Sequence, residues 1–292
     1  MRTTHWTTLA GLALLSIQAA CTIEGSAKET DRGEPQEQAP ASAAAPALVT
    51  ITARDFAFDA PETLPAGLTT IRLVNQGPDM HHVQLMRLEE GRTIQDFIDH
   101  VAAGGGEVAP FAHLVGGPNV PVPGGHSEAT LKLEPGTYAL VCVIPGADGV
   151  MHVMKGMIKP LIVLPAQTPA ATAPAADVRM VLRDYSFEIT PEITAGRHSI
   201  LVENAAAQPH EVVVMKLAPG KTAQDLLGWI MKQEGPPPAM PVGGTTMLSQ
   251  GETNQVTADF TPGEYALLCF APDAGDRQPH VAHGMVRQIT VR

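Results

Sequence analysis

Two segments of this chain, beginning at Ala53 and Leu182, have similar sequences, and this repeat limits the folds that the chain can adopt. ARDFAFDAPETLPAGLTTIRLVNQG aligns with LRDYSFEITPEITAGRHSILVENAA. HHVQLM from His81 aligns with HEVVVM from His210, and EPGTYALVC from Glu134 aligns with TPGEYALLC. A long repeat with few insertions predicts two copies of one structural unit.

Short β-rich runs separated by turn residues fill most of each copy. The runs Thr69–Val74 and Val212–Leu217 are typical of strands, and Pro135-Gly136 and Pro262-Gly263 mark turns. The chain holds 26 Pro and 27 Gly, a loop-rich composition that favours β-sandwiches over helix bundles. We therefore predict an all-β fold in which one sandwich is made twice.

One helix is expected to interrupt each copy. Thr93 and Thr222 are candidate N-caps, because each precedes an apolar segment. Asp96 and Asp225 follow them by three residues, as in a capping box. The predicted helices cover residues 94–102 and 223–232.

The start of the chain has the features of an export signal. The apolar run Leu9–Ala20 is too short to span a membrane and ends at Cys21. Ile17–Cys21 resembles a bacterial lipoprotein cleavage site, although Gln18 stands where Leu is usual. The expected outcome is lipidation of Cys21; the alternative is ordinary cleavage after Ala20, which leaves Cys21 free.

Composition also sets the predicted domain boundaries. Two stretches rich in Ala and Pro, with almost no large apolar residue, cannot form a core. The predicted segments are a signal peptide (1–21), a flexible linker (22–47), a first domain (48–165), a second linker (166–177) and a second domain (178–292).

A Cys, a His and a Met recur in the same order near the end of each copy. They are Cys142, His152 and Met157 in the first copy, and Cys269, His280 and Met285 in the second. Two imidazoles and a thiolate with a weak thioether are the ligand set of a blue-copper electron-transfer site. Because both diverged copies keep these residue types, we expect copper binding.

The second imidazole of each set is expected upstream, at His81 and His210, where an apolar strand begins after an Asn-containing loop. The repeat decides between neighbouring histidines. His82 aligns with a glutamate, which favours His81 as the ligand. His283 aligns with a lysine, which favours His280.

Both copies resemble cupredoxins, the family of plastocyanin and azurin. CVIPGADGVMHVMKGMIKPLIVLP is similar to the type 1 copper loop and following strand of copper nitrite reductases. The resemblance implies two tandem cupredoxin-like Greek-key β-sandwiches, each with a short helical insertion, and up to two type 1 coppers per chain. The implied ligands are His81, Cys142, His152 and Met157, then His210, Cys269, His280 and Met285.

The residues that make such proteins enzymes are absent from the expected positions. In nitrite reductases and multicopper oxidases a His immediately precedes the type 1 Cys; here these positions are Val141 and Leu268. A further catalytic His would fall on Met86 and Met215. The sequence therefore predicts an electron carrier and not an enzyme.

The net charge of −11 argues against nucleic acid as a partner. We expect a redox protein such as a cytochrome or another cupredoxin, and a membrane contacted through the lipid anchor on the periplasmic side. Two alternatives stay open: a copper storage or delivery protein of the periplasm, and a cupredoxin-fold interaction module with vestigial sites.

Overall fold

A computed structural model describes residues 44–166, 171–232 and 234–292. The predicted signal peptide, most of the first linker and Cys21 lie outside the described residues. Among the described residues, no helix is long and apolar enough to cross a membrane.

The first repeat consists of nine strands and one helix, followed by a 3₁₀ turn at His152–Lys155 before the last strand. Its elements are β1 (Ala47–Arg54), β2 (Ala57–Asp59), β3 (Thr63–Pro65), β4 (Gly67–Asn75), β5 (Gln84–Leu88), α1 (Ile94–Ala102), β6 (Ala112–Gly116), β7 (His126–Leu133), β8 (Gly136–Val141) and β9 (Ile158–Leu164).

The second repeat follows the same order with eight strands, since it has no counterpart of β3, and it has a 3₁₀ turn at His280–His283. Its elements are β10 (Val178–Arg183), β11 (Ser186–Thr190), β12 (Gly196–Asn204), β13 (His210–Leu217), α2 (Ala223–Lys232), β14 (Ala239–Leu248), β15 (Thr253–Phe260), β16 (Gly263–Leu268) and β17 (Val286–Val291). The described part of the chain is therefore mostly β, which confirms the predicted fold class.

The strands form two sheets, and each sheet runs through both repeats. One has the order β11-β10-β12-β15-β7-β4-β1-β2 and the other β17-β16-β13-β14-β6-β5-β8-β9-β3. Within each repeat, alternate side chains of the two sheets face each other and form the core, as in a sandwich. Pairing β7 with β15 and β6 with β14 covers strand edges that would otherwise stay open.

A local twofold axis relates the two repeats where they meet. Ala129 pairs with Val256, and Pro118 pairs with Thr245. Each of these residues pairs with its own counterpart in the aligned sequence, which happens only on a symmetry axis between like surfaces. The interface is thus built like that of a symmetric dimer, although both halves belong to one chain, and Ser42–Arg292 form one compact unit.

Paired glycines allow a close backbone approach inside each repeat, beside the interface. Gly117 and Gly244, which are counterparts, have φ values of 142° and 122°. A Cβ at Gly117 would overlap the carbonyl oxygen of Val83, and one at Gly244 would overlap that of Val212. Only glycine tolerates both the backbone angle and the contact.

Both helices begin and end where the sequence predicts. The Thr93 side chain accepts a hydrogen bond from the Asp96 backbone, and the Asp96 carboxylate accepts one from Thr93 N–H, which closes a capping box. Thr222 and Asp225 make the same contacts at the start of α2. Phe97 anchors α1 in the core with no exposed surface.

The described part of the second linker is held by hydrogen bonds. Thr172 N–H donates to Ala44 O at 3.2 Å, and Pro174 O accepts from the Gln255 side chain at 3.0 Å. The predicted domain boundaries stay predictions, since the sheets continue from one repeat to the other.

Candidate metal centres

The first candidate centre consists of His81, Cys142 and His152, whose ligand atoms all lie within 4.8 Å of one another. All three side chains are buried. Cys142 Sγ lies 3.6 Å from His152 Nδ1, and the rings of His81 and His152 are 4.9 Å apart. The structure thus brings together a loop residue that precedes β5, the residue that follows β8 and the first residue of the 3₁₀ turn.

The second candidate centre consists of His210, Cys269 and His280, again within 4.8 Å and buried. Cys269 Sγ lies 3.8 Å from His210 Nδ1 and 3.4 Å from His280 Nδ1. The two imidazole rings are 4.5 Å apart. The two repeats therefore hold the same donor atoms at similar distances from one another.

These separations fit a metal ion placed between the donors. Metal–sulfur bonds of about 2.3 Å and metal–nitrogen bonds of about 2.0 Å put the two donor atoms roughly 3.5 to 3.7 Å apart at tetrahedral to trigonal angles. The observed Sγ–Nδ1 distances span 3.4 to 3.8 Å. His81 Nδ1 is buried without a hydrogen-bond partner among the described residues, as expected for an atom that coordinates an ion.

Backbone hydrogen bonds hold each Cys against its downstream ligands. Cys142 follows β8, and its N–H donates to Met157 O at 3.2 Å, while its carbonyl accepts from Val153 N–H at 2.8 Å. Gly156 ends the 3₁₀ turn with a φ of 100°, in the left-handed region. This glycine lies between His and Met in both copies, so it belongs to the ligand motif.

The fourth predicted ligands, Met157 and Met285, are fully buried at the same place in each repeat. Met157 N–H donates to His152 O at 3.0 Å, and Met285 N–H donates to His280 O at 2.9 Å. Each methionine is thereby fixed by the backbone next to its centre.

The upstream histidines are positioned by asparagine-braced loops. Asn75 donates to Asp79 O at 2.8 Å and accepts from Gly77 N–H at 3.0 Å. Asn204 makes the equivalent contacts with Gln208 O and Ala206 N–H. Both asparagines are fully buried, so they fix the turn that delivers each histidine.

Carboxylates face the outer nitrogens of the histidines. His210 Nε2 lies 3.0 Å from Asp184 Oδ1, and His81 Nε2 lies 3.6 Å from the counterpart, Asp55. An Nε2–H directed at a carboxylate leaves the Nδ1 lone pair free for a metal, which is the usual arrangement around metal-binding histidines. The sequence analysis missed these residues, although the aligned RDF and RDY motifs contain them.

The same two motifs supply an aromatic side chain to each centre. Phe56 contacts the edge of His152 at a ring distance of 5.1 Å, and Tyr185 contacts His280 at 5.6 Å. The Tyr185 hydroxyl also donates to Asp273 at 2.5 Å. This hydrogen bond is the main reason that the pKa of Asp273 falls to about 2.

Burial controls the protonation of the donors. It raises the pKa of the Cys142 thiol to about 12, and that of Cys269 is raised as well. It lowers the pKa of His81 and His152, and brings that of His280 to about 4. Near neutral pH the metal-free centres therefore hold neutral thiols and neutral imidazoles.

The residue after each upstream histidine does not point its donor atoms at the centre. His82 Nε2 accepts from Val143 N–H at 3.1 Å. Glu211 accepts from Phe270 N–H at 3.0 Å, and its own N–H donates to Cys269 Sγ at 3.4 Å. The choice of His81 over its neighbour thus agrees with the placement of the side chains.

A third group of possible ligands lies outside these two centres. Asp273, Asp276 and His283 are close enough to share an ion. Their atoms already bind one another and the loop backbone, since Asp276 accepts from His283 and Asp273 accepts from Gly275 N–H. This arrangement stabilises the loop between Cys269 and His280.

No protein-family model and no curated protein matches this chain. Among solved structures, the chain is similar to auracyanin A, a "blue" copper protein from Chloroflexus aurantiacus, at 21% identity over 41% of this chain and 99% of that chain, with a TM-score of 0.30. It is similar to a blue copper oxidase from Nitrosomonas europaea at 17% identity over 84% and 85%, with a TM-score of 0.25.

A copper-containing nitrite reductase from Thermus scotoductus matches at 12% identity over 85% of this chain and 62% of that chain, with a TM-score of 0.25. The described residues thus form two β-sandwich repeats, each of which brings His, Cys and His together as a candidate metal centre.

Proposed function

We propose that this chain is an electron-transfer protein that carries one type 1 copper in each repeat. The doubled, buried His-Cys-His cluster is the observation that carries this proposal. When bound, copper would supply the one-electron chemistry, because two imidazoles and a thiolate with a weak thioether accommodate both of its oxidation states. Met157 and Met285 would supply the thioethers.

The protein's part is to keep the donor atoms in place. The Cys is tied to Met157 or Met285 by a backbone hydrogen bond, and the Asp184 carboxylate orients the His210 imidazole. Donors fixed in this way need little rearrangement when the oxidation state changes. Burial also excludes water from the centres, since all six converging side chains have almost no exposed surface.

We place the protein among carriers and not among enzymes. Val141 and Leu268 precede the two cysteines, where the resembling copper enzymes carry a His for a catalytic copper. Both side chains are buried against apolar neighbours. A second copper assembled in that pattern would therefore lack ligands on both repeats.

The proposed location is the periplasmic side of a bacterial membrane. The signal-like start and Cys21 support export and a lipid anchor. The net charge of −11 suits a basic redox partner such as a cytochrome, or another cupredoxin with a basic docking face.

Optical titration of residues 42–292 with Cu(II) tests the proposal, because these residues form one compact unit. Two blue centres predict an intense Cys-to-copper charge-transfer band that saturates at two coppers per chain. Cys142→Ala and Cys269→Ala should each halve it. Copper uptake without the band would contradict the type 1 assignment, and no uptake would leave a β-sandwich interaction module with vestigial sites.

Copper delivery is a second candidate, favoured by methionines at the first centre only. Met80 and Met154 are 42% and 43% exposed, and they lie next to or near His81 and His152. Exposed thioethers select Cu(I), and the second repeat has Pro209 and Ala282 at these positions. Delivery predicts that a Cu(I) chelator strips the first centre quickly; electron transfer predicts that both centres keep their copper.

A further inference from the structure

A chain of buried polar contacts joins the two candidate centres. The proposed copper ligands take no part in these contacts. It starts beside Cys142, where Val143 N–H donates to His82 Nε2 at 3.1 Å. It ends beside Cys269, where Phe270 N–H donates to Glu211 Oε1 at 3.0 Å. His82 and Glu211 are counterparts, so each repeat directs the same position at the backbone that follows its cysteine.

Asn119 connects these two side chains across the interface. Its Nδ2 donates to Glu211 Oε2 at 3.0 Å, and its side chain lies against that of His82. His82, Asn119 and Glu211 are only 4%, 1% and 6% exposed. Polar side chains buried to this degree and held by such contacts keep one arrangement.

The hydrogen bond to His82 decides which nitrogen of its ring carries the proton. Its Nε2 accepts from an amide, so in the neutral ring the proton lies on Nδ1 and can be donated. Hydrogen bonds, together with the contact between His82 and Asn119, therefore link one cysteine's backbone to the other's.

This series of polar contacts occurs only once among the described residues, although the repeats are related by a local twofold axis. Asn119 lies in the motif VGGPN, and the aligned motif is VGGTT, which puts Thr246 in its place. Thr246 donates to Gly117 O, and within the part of the chain that the structure describes its side chain forms no hydrogen bond with His82, Asn119 or Glu211. A cavity of about 580 Å³ borders the three side chains and also reaches His152.

We propose that His82, Asn119 and Glu211 form the route by which electrons pass between the two centres. This inference rests on the proposed function, since it needs a copper in each repeat. Tunnelling through covalent and hydrogen bonds falls off less steeply than tunnelling across a cavity. The step moves one electron: the donor centre is oxidised, the acceptor centre is reduced, no bond is made or broken and no proton is transferred.

The test measures electron equilibration within the full chain. Met285→Gln is introduced first, because a changed axial ligand alters the spectrum and potential of the second centre and makes the two distinguishable. A short reducing pulse is then followed optically. A phase whose rate does not depend on protein concentration reports transfer between the centres.

In this background Asn119→Leu is expected to slow that phase several-fold while both blue bands stay unchanged. Asn119→Thr, which copies the other repeat and so protects folding, should do the same, and the matched control Thr246→Val should have no effect. An unchanged rate in both Asn119 variants would overturn the route. A chain without blue bands would overturn the proposed function itself, so the two failures are distinguishable.

A second measurement needs no copper. Nitrogen NMR of the metal-free chain should show His82 with a proton on Nδ1 and none on Nε2 at pH 7. Asn119→Leu should shift both ring nitrogens, whereas Thr246→Val should leave them in place. A ring protonated on Nε2 would break the hydrogen-bonded chain and contradict the proposal.

Discussion

Metal binding to this protein should release one proton from each centre. In the metal-free chain burial raises the pKa of Cys142 from an ordinary 9.0 to about 12, and it raises that of Cys269 in the same direction. The thiolate, not the thiol, binds metals. An entering ion must therefore displace the thiol proton.

The size of the effect follows from the shift at Cys142. The rise of the Cys142 pKa from 9.0 to about 12 destabilises the thiolate relative to the thiol by about 4 kcal/mol, at 1.36 kcal/mol per pKa unit. Because the thiol stays protonated well above neutral pH, affinity at each centre should rise about tenfold per pH unit between roughly pH 7 and 8. The histidines add no protons there, since burial lowers the pKa of each ligand imidazole.

Calorimetric titration with Zn²⁺ in two buffers of different ionisation enthalpy counts the protons, and zinc accepts Cys and His ligands without redox chemistry. We expect two protons per chain. Cys142→Ser and Cys269→Ser should each reduce the number to one. A chain that binds two zinc ions and releases no proton would refute the reasoning, because its thiols would already be ionised.

Four further predictions concern individual residues. Asp184→Asn removes the carboxylate that orients His210, so metal affinity at the second centre should fall about 10- to 100-fold in a spectroscopic competition assay. Gly156→Ala forces a side chain into a left-handed position, and urea unfolding of the metal-free chain should show a loss of about 1 kcal/mol or more. Gly228→Ala, in the interior of α2 with open space around the new Cβ, should instead stabilise by up to about 1 kcal/mol. Phe97→Ala should cost about 3 to 5 kcal/mol in the same assay, because the ring is fully buried.

The predictions for Asp184 and Gly156 each have an internal control. Asp55→Asn should weaken the first centre less than Asp184→Asn weakens the second, because Asp55 lies 3.6 Å from its histidine and Asp184 lies 3.0 Å from its own. Equal losses would argue against orientation by the hydrogen bond. If Gly156→Ala and Gly228→Ala had the same sign, backbone conformation would not be the cause.

Local structure was readable from the sequence because it depends on neighbours in the chain. The capping residues Thr93 and Thr222 fixed the starts of the helices, and the helices end where the apolar pattern ends. The strands Gly67–Asn75 and His210–Leu217 contain the predicted β-rich runs. Comparison of the two copies selected His81 over His82 because the ligand types recur at matched positions. Lipidation of Cys21 stays a prediction.

The arrangement of the two repeats was decided only by the tertiary structure. No local pattern shows that Ala129 pairs with Val256, because such a contact depends on two edges far apart in sequence. The same holds for Asn119, which looks like an ordinary loop residue until the fold places it between His82 and Glu211. The sequence determined which side chains each repeat offers to a metal; the paired sheets decided how the two centres are connected, because only folding brings distant residues within hydrogen-bond distance.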